Sequence, residues 1–266
     1  MHPNLSDDLD RPVALRAPPR RIVSLVPSLT ELVCALGRGD RLVGVTRFCT
    51  DPPDIVWALP RVGGTKNPDL SRIVGLDPDL VLVNVEENME EDFQSLSAAG
   101  LTLFVSFPST VQAVARSVER LGAVLEANEA AAVMASEIRT ALTELPGRGL
   151  PVFCPIWRKP WMSFNRDTYA HDLLYWAGGD NVCASSPVRY PVVDLTEVAR
   201  LDPAAVLLPD EPYPFADRHR RLLGDLEGTR AAKSGQIHLV SGKALFWYGA
   251  RTAPALRDLR RLLASC

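Results

Sequence analysis

Two rhythms alternate along this chain, short β-branched apolar runs and helical repeats of apolar residues. Arg21-Ile22-Val23-Ser24-Leu25-Val26 reads as a buried strand that Pro27 stops. Ser28-Leu29-Thr30-Glu31 then has the spacing of a capping box. Leu29, Leu32, Val33 and Leu36 follow at helical intervals before Gly37. A second short strand over Leu42 to Thr46 leads into the turn Asp51-Pro52-Pro53. Leu70 to Leu76 predicts a helix and Asp77-Pro78-Asp79 a turn. Leu80 to Val83 predicts a buried strand, Glu90 to Ala99 a helix closed by Gly100, and Leu101 to Val105 the next strand. Strands alternating with short helices predict a parallel sheet covered on both faces.

From Thr110 to about Leu145 the strand rhythm disappears. Val111, Val114, Ala115, Val118, Leu121 and Leu125 recur at helical spacing, and an alanine-rich stretch continues to Pro146-Gly147-Arg148-Gly149. A helix or helix pair of this length between two sheet regions is a rigid connector. The first half's logic then repeats. Val152 to Ile156 predicts a strand, Asp167 or Thr168 can cap a helix ending at Gly178-Gly179, and Ile237 to Val240 predicts a strand. Thr252 to Ala264 predicts a closing amphipathic helix. The segment Glu197 to Leu208 echoes Arg72 to Val83: in both, a helix end meets Leu-Asp-Pro and then a buried strand. The expected architecture is α/β, with two parallel-sheet lobes joined by a long backbone helix. Its boundaries are a disordered leader over 1–20, an N-terminal lobe over 21–109, a connecting helix over 110–149 and a C-terminal lobe over 150–266.

Composition narrows the function classes. The chain has 266 residues, 47% of them hydrophobic and 23% charged, and a net charge of -3. That balance argues against a nucleic-acid surface, which shows as a basic excess. No apolar run reaches the ~18–20 residues of a membrane-spanning helix. The first twenty residues carry Asp7, Asp8, Asp10 and paired prolines rather than a basic start and apolar core, so they predict a cytoplasmic protein as the sequence stands. If translation starts upstream, a periplasmic or other extracytoplasmic location is expected instead. The five cysteines are scattered, with no CxxC pair, and read as reduced thiols.

Ligands of parallel sheets bind beyond the carboxyl ends of the strands, and a cleft lies naturally between two lobes. The loops at those ends are Pro27-Ser28, Arg47-Phe48-Cys49 and Gly63 to Lys66 in the first half, and Trp157 to Phe164 and Phe246 to Arg251 in the second. Ser28 and the helix behind it can offer backbone donors to a polar ligand edge. The aromatic residues are only 7% of the chain, yet Trp157, Trp161, Phe164, Phe246, Trp247 and Tyr248 fall on two loops. Capping of the core explains any one of them. Jointly, the tryptophans suit a large, flat, partly apolar ligand. The histidines predict no metal site: His2 lies in the leader, His219 in the basic run Arg218 to Arg221, His171 in a helix and His238 in a strand, none paired. The acidic group Glu86 to Asp92 reads as a solvated helix start. No GxSxG, P-loop, HExxH or GxGxxG motif is present, so no catalytic residue is predicted.

Four segments taken together carry a resemblance. Arg21 to Gly37 (RIVSLVPSLTELVCALG), Leu42 to Pro53 (LVGVTRFCTDPP), the GG-x-x-N-P-D-L segment from Gly63 and L-D-P-D-L-V-L-V from Leu76 are similar, in order and spacing, to the iron-siderophore and cobalamin type of periplasmic substrate-binding protein. The likeness runs over nearly the whole chain from Arg21 and is nearest the cobalamin-binding branch. It implies binding without chemistry: a large metal chelate, cobalamin or another corrinoid first and haem or a ferric siderophore second, captured with little hinge motion and handed to an ABC importer. No intrinsic cofactor is implied. Phe48 stands where that branch places an aromatic residue, Trp247 or Tyr248 falls near its second, and Lys66 departs from a tryptophan. The expected ligand-binding residues are therefore Pro27, Ser28, Phe48, Lys66, Trp157, Trp161, Phe246, Trp247, Tyr248 and Arg251. Cys49 and Cys154 sit near this region as axial ligands or, more simply, as inert thiols. The family docks its permease through one acidic residue per lobe. Ser71 and Ala250 occupy those positions here, which puts a permease partner in doubt and suggests a cytoplasmic relative that binds without delivery. The rivals are an enzyme acting on a tetrapyrrole on the same scaffold, and a partner-binding module without a ligand.

Overall fold

The computed structural model describes residues 5–144, 149–221, 223 and 226–266. They form two compact units: one takes the chain up to Pro108 together with Ala113–Glu137, the other Ser109–Gln112 and Ile138–Cys266.

The first unit is built on strands β1 (Ile22–Ser24), β2 (Leu42–Val45), β3 (Leu80–Asn84) and β4 (Leu103–Ser106), all parallel, in the order β2-β1-β3-β4. Every residue of β1 and β3 is buried, as expected of apolar runs covered on both faces. Helices α1 (Pro27–Ala35), α2 (Pro53–Val56), α3 (Leu70–Gly75) and α4 (Glu90–Ala98) connect them. The capping box at Ser28 does not form. Pro27 occupies the first turn, where its missing N–H is harmless, so the helix starts two residues early and Val26 becomes the cap. Asp69 caps α3 instead, its Oδ1 accepting from the Arg72 amide at 3.0 Å.

The segment up to Arg20 is not a loose leader over its described residues. Asp8 donates its amide to the Val105 carbonyl at 3.0 Å, which covers the outer edge of β4. Its Oδ2 accepts from Ser106 Oγ (3.0 Å), the Phe107 amide (3.0 Å) and Ser117 Oγ (2.6 Å). Arg120 bonds the Asp7 carbonyl and Asp10 Oδ1, while Val13 and Leu15 are buried. The acids that made this segment look solvated are consumed as acceptors.

The helical stretch read over 110–149 contains α5 (Val111–Val124) and α6 (Asn128–Ala141), separated at Glu126, whose φ is 53°. A Cβ at Gly122 would lie 2.2 Å from Ala131 Cβ, so glycine is what lets the two helices approach so closely. Both helices begin in one unit and end in the other. The stop expected at Pro146-Gly147-Arg148 lies outside the described residues.

The second unit repeats the same order, β6-β5-β7-β8, again fully parallel, with β5 (Leu150–Phe153), β6 (Gly179–Asn181), β7 (Ala205–Pro209) and β8 (Ile237–Val240). Helices α7 (Tyr169–Trp176), α8 (Leu195–Arg200), α9 (Asp217–Arg220), α10 (Arg230–Lys233), α11 (Gly242–Phe246) and α12 (Thr252–Ala264) complete it. Thr168 caps α7. The repeat read in the sequence is real in three dimensions: Asp77 and Asp202, each before a proline, both have φ 47° where a helix turns into a strand. Two readings need correction. Gly179 opens β6 rather than only ending α7. His219 is buried rather than solvated, its Nδ1 accepting from the Ala216 amide and its ring packed edge-on against Tyr213 and Phe215.

Candidate ligand-binding surfaces

At the carboxyl end of the first sheet, backbone and side-chain bonds gather the loops that the sequence singled out. The Arg47 amide donates to the Gly63 carbonyl at 2.9 Å, and Lys66 Nζ donates to the Glu86 carbonyl at 2.6 Å. Asn88 Nδ2 donates to the Thr65 carbonyl at 2.8 Å and, more weakly, to that of Leu25, which leads into α1. Phe48 is 48% exposed and carries the Arg47 guanidinium 4.8 Å from its ring centre. Pro27 and Ser28, by contrast, are buried. The Ser28 hydroxyl has no hydrogen-bond partner among the described residues.

In the second unit the loops after β5 and β6 form a small ribbon. Trp157 bridges antiparallel to Met162, and Met162 to Val192. The segment runs on beside 161–165 through bonds from Ser163 to Pro191, Asn165 to Arg189 and Val193 to Trp161. Residues opposite one another in such a ladder point to the same face, as do residues two apart along it. Trp157, Val188, Tyr190 and Val192 are all exposed, Val192 the most at 64%. Tyr190 and Val192 were not among the expected site residues; the apolar alternation at 188, 190 and 192 is too short and too proline-flanked to mark a strand.

The remaining expected aromatics divide differently. Phe164 is fully buried against Phe246, and Tyr248 packs edge-on against Tyr169. Trp161 stacks on Phe215 with an interplanar angle of 5°. Trp247 is only 7% exposed, with Lys243 Nζ 4.7 Å and the Arg251 guanidinium 5.5 Å from its ring centre. For Trp247 the simpler of the two readings holds: it caps the core and carries two cations on its ring. Glu211 adjoins them. Burial raises its carboxyl above the usual range, while Lys243 and a hydrogen bond from Trp247 pull it back. A Cβ at Gly242 would meet the Glu211 carbonyl oxygen at 2.3 Å and its amide nitrogen at 2.7 Å, and backbone atoms cannot swing aside. Gly242→Ala is therefore expected to cost about 1–3 kcal/mol of stability and to shift tryptophan emission as Lys243 leaves Trp247. Urea denaturation followed by fluorescence checks both.

Cys49 and Cys154 are fully buried, and burial pushes both thiols up, as it does Cys183. The Thr30 hydroxyl bonds the Cys49 sulfur at 3.1 Å and that of Thr46 lies 3.2 Å away. Among the described residues no group of three or more His, Cys, Asp or Glu side chains could hold a metal ion, and no helix is long and apolar enough to cross a membrane.

Two α/β units with parallel sheets of one topology, and with α5 and α6 running in sequence from one unit to the other, define the fold of the helical-backbone substrate-binding proteins. Solved structures of this fold match closely: BtuF, the periplasmic vitamin B12 binding protein of Vibrio cholerae, at a TM-score of 0.82, 24% identity, and 93% and 98% of the two chains. A periplasmic heme binding protein from Pseudomonas aeruginosa matches at 0.78, 25% identity and 91% of each chain. In sequence, the vitamin B12-binding protein of Photorhabdus laumondii is 30% identical over 200 residues, which are 73% of this chain and 72% of the relative. The chain belongs to the periplasmic binding protein family, whose model matches residues 22–238.

Proposed function

We propose that this chain is a solute-binding protein for a large, flat metal chelate, a corrinoid of the cobalamin class. One observation carries the reading: exposed rings, Phe48 in one unit and Trp157 with Tyr190 in the other, stand at the carboxyl ends of two parallel sheets. The 30% identity to a vitamin B12-binding protein favours corrinoids among such chelates. Apolar rings in such positions stack on a macrocycle and exclude water, without chemistry. Haem is the second reading, favoured by the match to a heme binding protein. Of the expected site residues, Phe48, Lys66 and Trp157 belong to the ligand surface in this reading. Pro27, Ser28, Trp161, Phe246, Trp247 and Tyr248 shape it from behind, and Arg251 acts through Trp247. Delivery to an ABC importer is part of the proposal only without acidic docking groups at Ser71 and Ala250. Ser71 Oγ donates to Asp69 Oδ1 at 2.7 Å.

Titration of the purified protein with hydroxocobalamin and with haemin, followed by visible absorption and tryptophan fluorescence, tests the reading. A saturable one-to-one response with quenching is expected for hydroxocobalamin. Silence with both ligands would overturn it.

A further inference from the structure

The ribbon of the second unit is basic as well as apolar. Residues 154–166 and 181–193 include Arg158, Lys159, Arg166 and Arg189 but no aspartate or glutamate, in a chain where acids outnumber lysine and arginine by 32 to 29. Lys159 and Arg166 are exposed, and Arg158 lies with its guanidinium 6.0 Å from the Trp161 ring centre. The cations around Trp247 differ, because Glu211 stands beside Lys243. On the ribbon, cations flank an exposed apolar face; the nearest acids in sequence, Asp167, Asp180 and Asp194, lie just beyond the ends of the two segments, and Asp167 accepts from Asn165 Nδ2 at 3.0 Å. In the first unit, too, the exposed ring of Phe48 carries a guanidinium.

A neutral macrocycle gains nothing from such charge. An anionic oxygen held at the rim of an apolar ring system gains both a stacking surface and charge-assisted hydrogen bonds, for which the planar guanidinium is suited. We infer that the ribbon selects chelates bearing an anionic appendage, a phosphodiester or a carboxylate, with Arg158 and Lys159 as the specificity-determining pair beside Trp157. This rests on the chelate-binding reading above. It makes cobalamin, whose nucleotide loop contains a phosphodiester, a better ligand than cobinamide, which lacks it, and haemin better than its dimethyl ester.

The four ligands should be titrated in low and in high salt, with the unmodified chain and with the Arg158→Ala, Lys159→Ala double variant. The expected result is a preference of about tenfold for the anionic member of at least one pair in low salt, which is one charge-assisted contact's worth of affinity. That preference should shrink to about threefold or less at about 0.5 M salt, where screening is short-ranged, and likewise in the double variant. Equal binding within both pairs, or a preference unchanged by salt and by the double variant, would overturn the inference while leaving chelate binding intact. Absence of binding by all four would instead remove the reading on which it rests.

Discussion

Asp8→Ala is expected to lower the free energy of unfolding by about 3 kcal/mol, an effect that a residue so near the amino terminus would not ordinarily produce. Its carboxylate accepts from Ser106 Oγ, Ser117 Oγ and the Phe107 amide. Removing it strands an amide and two hydroxyls in a partly buried site, at about 1–3 kcal/mol for each donor that finds no substitute. The hydroxyls can rotate to other acceptors, which is why the expectation lies at the lower end of the sum. Asp8→Asn keeps one acceptor and should lose about half as much. Burial raises the Asp8 carboxyl above its ordinary range despite these bonds. The folded state therefore holds this proton to higher pH than the unfolded chain does. The contribution of that shift to stability is full below the ordinary carboxylate range and is lost as pH rises through the raised value. Urea denaturation across a pH series should show the unmodified chain's advantage over Asp8→Asn narrowing over that interval. A constant difference would mean that Asp8 titrates normally.

The second large effect concerns the ligand. Phe48→Ala and Trp157→Ala combined should weaken hydroxocobalamin binding by about 3–4 kcal/mol, hundreds-fold in affinity, if each ring is a stacking anchor worth about 1–3 kcal/mol. Both are substantially exposed, so the double variant should keep the unmodified chain's unfolding midpoint. Trp247→Ala makes the contrast. Its ring is buried, and its loss should show first in stability. Calorimetric titration beside thermal unfolding separates the two classes. Equal losses of affinity from Trp247→Ala and Trp157→Ala, with stability unchanged in both, would reverse the assignment.

Much of the fold was legible because each buried strand announces itself locally. Ile22 to Val26, Leu80 to Val83 and Val206 to Leu208 are apolar on both faces and are bounded by prolines or turns, and the helix over Thr252 to Ala264 was found at its true limits. The failures have physical reasons in common. Gly179-Asp180-Asn181 pairs as an edge strand although nothing in its residues favours extended structure; its neighbour β5 imposes it. The strap over Asp7 to Leu15 looks polar because its partners, Ser106, Ser117 and Arg120, lie about a hundred residues away. Ser28 failed as a cap because of the proline beside it, which the spacing rule for a capping box ignores. At the candidate site, the residue types were readable but not their exposure. Phe48 and Trp247 are both aromatic residues with an arginine or lysine within four positions, and only packing tells the exposed ring from the buried one.

The path of the chain also orders events during its synthesis. All four strands of the first sheet have left the ribosome once Ser106 has emerged, yet Ser117 and Arg120, which fasten the amino-terminal strap, emerge later, and the unit's last residues later still, at Glu137. Until then Asp8 lacks its shortest bond and the edge of β4 is only loosely covered. A nascent chain paused near residue 110 thus offers an open sheet edge to chaperones or to aggregation, and the helical segment that follows is what brings that exposure to an end.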